Sequence, residues 1–140
     1  MFFDMFRSSQ SQPTQLSRER LQQLVLNFLM QMAWLDGKPD EREIEALTKI
    51  LVHVYHFDPA TVRGKIDSYG PGQQRPGSVA ALRELPMRER VQLLRDLWAV
   101  ALVHGKAGEK EQALFYRGAK LLAIKDNAFL EKCIKVNSEH

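Results

Sequence analysis

The sequence predicts an all-α fold: about seven helices forming two pseudo-symmetric helical hairpins, packed as a compact bundle. Three observations carry this. Apolar residues recur at spacings of three and four, with no sustained period-two alternation. Gly- and Pro-bearing breaks cut that pattern into helix-length pieces. One helix–break–helix segment recurs 68 residues later.

Bulk properties set the frame. The chain has 140 residues, enough for one domain with an ordinary core. Its 44% hydrophobic and 26% charged content belongs to a folded protein. A net charge of +3 is too weak to argue for nucleic acid. One cysteine, Cys133, leaves no internal disulfide and no Cys-x-x-Cys metal motif, which fits a reducing compartment. No secretory signal and no run of about 18 apolar residues is visible. Gly-rich phosphate loops, Gly-x-Ser-x-Gly and His-Glu-x-x-His are absent, so an enzyme is not expected.

Residues 1–13 are expected to form a flexible polar tail ahead of a single domain at 14–140. The aromatic tip, with Phe2, Phe3 and Phe6, could dock on the domain or touch a membrane surface. Ser17 suits an N-cap, and Leu21, Leu24, Val25, Phe28, Met32 and Leu35 make the apolar stripe of a first helix. Asp36-Gly37-Lys38-Pro39 ends it, with Gly37 suited to a left-handed position. A second helix runs from Asp40 to about Tyr55, burying Ile44, Leu47, Leu51 and Val54. Asp58-Pro59 opens a short third helix to about Tyr69. Residues 70–77 form the linker between the halves. Ser78 opens a short fourth helix to Leu85, and Pro86 a fifth to about Val103, with Val91, Leu94, Leu97, Trp98 and Ala101 inward. A sixth spans Glu109 to Ile124, and Asp126 caps a seventh.

The repeat aligns Ala33–Glu43 with Ala101–Glu111, and five of the eleven positions are identical. Chance identity is about one in sixteen, so fewer than one match is expected. The match coincides with the two helix breaks. Two helical hairpins related by an approximate twofold follow.

A long helix ending in Ala33-x-x-Asp36-Gly37, then Glu43 seven residues after the aspartate with a new helix starting between, and a degenerate second copy, resembles the TerB-like family. That family includes tellurite-resistance TerB proteins and the amino-terminal domain of DjlA-type co-chaperones. The resemblance covers roughly residues 17–137. It implies a bacterial, cytoplasmic domain, peripheral to the inner membrane where it joins membrane-associated stress-response complexes, acting through protein partners. It also implies acidic loops that bind a divalent metal. No His-Pro-Asp motif of a J-domain is present, so co-chaperone activity is not implied.

The acidic residues divide by what else explains them. Asp40 and Glu43 have the spacing of a capping box, and Glu111 with Gly108 repeats it. Asp36 stands at a helix carboxyl end, where the dipole disfavours an anion. A cation between Asp36, Asp40 and Glu43 would explain it; so would a solvated loop residue or pairing with Lys38 or Arg42. These hard oxygen donors suit Ca²⁺ or Mg²⁺ better than Zn²⁺. Glycine stands second in the loop, so this is not an EF-hand. In the second loop His104 stands where the first has Asp36, and Gly108 where it has Asp40. Three readings stay open: a lost second site, a mixed site using His104 and Glu111 with the first loop, or no metal.

Other candidates have ordinary readings. His53 and His56 share a helix face without a nameable third ligand. Cys133 falls on an apolar face and reads as core. Arg83, Arg88, Arg90 and Arg95 could steer an acidic partner or a nucleic-acid phosphate backbone, but read as a solvated face offset by Glu84, Glu89 and Asp96.

Overall fold

The computed structural model describes residues 17–70, 76–105 and 108–138. The expected tail at 1–13 and the centre of the 70–77 linker lie outside the described residues. Among the described residues the chain forms six α-helices and two 3-10 segments, with no strand.

Helix α1 spans Arg18–Ala33 and tightens into a 3-10 turn at Trp34–Asp36. Ser17 caps it, its hydroxyl accepting the Arg20 N–H at 3.0 Å. Eight of its side chains are buried: Leu21, Leu24, Val25, Leu26, Phe28, Leu29, Met30 and Met32. A stripe that wide cannot face one neighbour, so α1 becomes the central helix of the bundle. Gly37 ends the turn at φ +107°, backbone that only glycine adopts without strain.

Helix α2 (Glu41–His53) starts from Asp40 and buries Ile44, Leu47 and Leu51. Helix α3 covers only Val62–Asp67, shorter than the sequence predicts. Asp58 forms a turn first: its carboxylate accepts the Ala60 N–H, and its carbonyl accepts those of Thr61 and Val62. The expected fourth helix is a 3-10 segment, Pro76–Glu84, packed on α1. Pro86 just beyond its end draws Leu85 away from helical backbone and stops the segment there. Helices α4 (Met87–Ala101), α5 (Glu109–Leu121) and α6 (Asn127–Ser138) follow. Helices α4 and α5 form the second hairpin, and α4 packs on both α1 and α2.

The pseudo-twofold reaches well beyond the eleven repeated positions. Helices α2 and α5 are both 13 residues long and begin 68 residues apart. Gly105 also has positive φ, at +81°. The Gln22 amide donates to the carbonyls of Tyr55 and His56 at 2.8 and 3.2 Å. Sixty-eight residues on from Gln22, the Arg90 guanidinium donates to those of Leu122 and Ala123, 67 residues on from Tyr55 and His56, at 3.1 and 3.2 Å. Asp58 and Asp126 cap corresponding turns, and Val62 and Ile66 are buried as Leu130 and Ile134 are.

The symmetry breaks in the core. Leu21 and Phe28 of α1 correspond to Glu89 and Asp96 of α4, all four buried. Asp96 accepts from the Tyr55 hydroxyl at 2.6 Å and from the Gln92 amide at 3.0 Å. Glu89 and Asp96 therefore do not belong to a solvated face, although Glu89 Oε2 still lies 3.9 Å from Arg88 Nε. Arg83 instead donates to the Leu121 carbonyl at 2.8 Å, and Arg90 also holds the Leu85 carbonyl. These cations satisfy backbone groups that helix ends leave unpaired.

Candidate metal centre

The site forms where the two helix breaks meet. On the first side, Asp40 is the N-cap of α2, extended at φ −83° and ψ 177°. One carboxylate oxygen, Oδ1, accepts the Glu43 N–H at 2.9 Å, and Glu43 Oε1 accepts the Asp40 N–H at 3.0 Å. The reciprocal pair fixes both side chains and leaves each carboxylate a second oxygen. On the other side, Gly108 is the N-cap of α5, and Glu111 Oε1 accepts its N–H at 2.9 Å.

The loops come together across the pseudo-twofold. His104 Nε2 lies 2.6 Å from Asp40 Oδ2, with the two side chains 48% and 49% exposed. Asp40, Glu43 and His104 each offer a donor atom within 4.8 Å of the other two. The donor set is two carboxylates and an imidazole, close enough for small side-chain rotations to bring it around one cation. The residues present therefore fit a divalent metal. The Asp40 carboxyl is held below its ordinary value, first by the Glu43 N–H and then, against some desolvation, by the neighbouring His104.

Beside the cluster lies an open cleft of about 240 Å³. Ala33 and Ala101, equivalent residues of the two halves, face it together with Leu114. Glu43 and Glu111, also equivalent, line it, as do Lys38 and Lys110. Small residues at the ends of α1 and α4 leave room for the cleft, and the two capping glutamates bring their carboxylates to it.

Of the predicted ligands, Asp40, Glu43 and His104 are thus brought into one cluster. Glu111 lines the adjoining cleft, outside the three-residue group. The side chain of Asp36 lies outside the described residues. Glu41, in the same acidic run, turns away to Arg63 of α3 at 3.0 Å, and Arg63 also holds Asp67 at 3.1 Å. His53 and His56 are exposed at the opposite end of α2 and take no part. Cys133 is half-buried and packs against the core. Of the three readings open for the second loop, the structure's geometry matches the mixed one in part: His104 meets Asp40 of the first loop, while Glu111 stays outside the group. Sequence reasoning missed the Asp96–Tyr55 core pair. The 68-residue register carries a partial signal for it: Asp96 stands where the first half has the apolar, buried Phe28.

The family model for the tellurite resistance protein TerB matches residues 22–132, most of the chain. The chain belongs to the TerB family. Among curated proteins and among solved structures nothing matches it. The matched span of this TerB domain contains both helix breaks and so the whole candidate centre. Among the described residues, no helix is long and apolar enough to cross a membrane.

Proposed function

We propose that this TerB domain binds a divalent cation at the junction of its two halves and acts as a regulatory module for protein partners in a bacterial stress response, without catalysing a reaction. The observation that carries the reading is the convergence of Asp40, Glu43 and His104 from two separate loops. A bound cation would link the hairpins directly, so its occupancy would alter the surface that both loops present. A cytoplasmic site of action, peripheral to the inner membrane, belongs to the same proposal.

A metal-free adaptor is the second reading, and one observation favours it. Capping uses Asp40 Oδ1 and Glu43 Oε1, and His104 already meets Asp40 Oδ2, so both Asp40 oxygens have partners without an ion. Thermal unfolding with chelator or with millimolar Ca²⁺, Mg²⁺, Mn²⁺ or Zn²⁺ separates the two. An ion bound only by the native state raises Tm with its concentration. Asp40→Asn keeps a capping side chain but removes the charge, and should abolish the rise. No rise with any of the four cations leaves the adaptor reading standing.

A further inference from the structure

We infer that the His104 side chain makes this a transition-metal centre, selective for a borderline ion such as Zn²⁺ or Co²⁺ over Ca²⁺ and Mg²⁺. The inference rests on the cation-binding reading and adds the class of ion.

The donor set decides the class. Calcium needs about six to eight oxygen ligands, and Mg²⁺ keeps a near-complete oxygen octahedron. Among the described residues the cluster supplies two carboxylates and one imidazole. The imidazole nitrogen is a poor donor to either hard ion and a good one to Zn²⁺, Co²⁺ or Ni²⁺. Those ions are content with about four to six ligands, so three protein donors plus water complete the shell. Both Asp40 and His104 are about half exposed, which gives that water access. Capping leaves one oxygen on each carboxylate, enough for single-oxygen coordination and short of the paired oxygens that calcium sites use. In the repeat, His104 occupies the position that Asp36 holds in the first half.

The test uses the full chain without an affinity tag and titrates the chloride salts of Zn²⁺, Co²⁺, Ca²⁺ and Mg²⁺ singly by calorimetry. The wild type should bind Zn²⁺ at least about 100-fold more tightly than Ca²⁺. His104→Ala should weaken Zn²⁺ at least about tenfold while Ca²⁺ changes less than about threefold, and His104→Asp should move the preference toward Ca²⁺ and Mg²⁺. In the wild type, Zn²⁺ should shift the His104 ring resonances, which places the ion at this site and not at another histidine. Zn²⁺ and Ca²⁺ binding within about threefold of each other, or Zn²⁺ affinity unchanged in His104→Ala, would overturn the selectivity and leave cation binding intact. No binding of any of the four ions overturns both.

Discussion

Asp96 is the residue at which burial and charge conflict most strongly. Burial drives its carboxyl up to about 6, against the hydrogen bonds from Tyr55 and Gln92, which favour the ionised form. Its folded value therefore exceeds the ordinary 3.8, and the native state binds the proton more tightly than the unfolded chain. The stability associated with the proton is complete below pH 3.8 and is lost as pH rises through about 6. At about 1.4 kcal/mol per pH unit, roughly 3 kcal/mol is at stake, of which about 1–2 kcal/mol falls between pH 7.5 and 5. Denaturant unfolding at the two pH values should show Asp96→Asn flattening this dependence. Tyr55→Phe removes the donor to Oδ2 and should cost about 1–3 kcal/mol, more at pH 7.5 than at pH 5. Equal loss at both values would mean that the Tyr55 hydroxyl does not act through the Asp96 charge. Glu89 is raised by the same cause, desolvation. It is the third residue of α4, as Glu43 is of α2, but its N-cap is Pro86, which has no N–H to donate.

At the scale of the element, capping and close packing carry the load. In both site helices the third residue is a glutamate bonded back to the N-cap N–H. Asp40→Ala should therefore lower Tm even in the presence of chelator, whereas Asp40→Asn should not. A scan in chelator checks this and separates the structural duty of Asp40 from its proposed metal duty. Helix α5 approaches α4 through Gly118. A Cβ there would lie 2.5 Å from Leu97 Cδ2 and 3.4 Å from Leu94 Cδ1. Leu97 can rotate away only into a filled core, so Gly118→Ala should destabilise by about 1–3 kcal/mol despite alanine's better helix propensity. A gain in stability would show that the α4–α5 contact is loose.

At the scale of the whole molecule, neither half is expected to fold alone. Helix α1 is buried on one side by its own hairpin and on the other by the Pro76–Glu84 segment and α4, both from the second half. A fragment of residues 17–70 would expose much of that apolar surface to water. It should lack a cooperative thermal transition by circular dichroism, and regain one when mixed with residues 71–140. A cooperative melt of the first fragment by itself would mean the hairpins are independent units.

Local chemistry was legible throughout. Ser17, Asp40, Glu43, Glu111 and Asp126 occupy the capping positions that their spacing predicts, because a cap bond spans only about three residues and ignores the rest of the fold. The repeat likewise gave the paired hairpins, since related sequences form related local structure. The sequence overestimated two helices: the one from Asp58 to about Tyr69, which shrinks to Val62–Asp67, and the one at Ser78–Leu85, which is a 3-10 segment. It also misjudged the acidic partners of the arginine stretch: Glu89 and Asp96 are charged by type and buried by position, and only packing against α2 and its neighbours decides that.

The sequence by itself determined the helices, their caps and the two-half plan, all set by interactions within a few residues or by direct repetition. The tertiary structure alone decided that the two breaks meet, placing His104 2.6 Å from Asp40 and both beside Glu43. That meeting depends on how one hairpin rests on the other. The angle is fixed by the summed burial of α1, α2 and α4, which no single loop encodes.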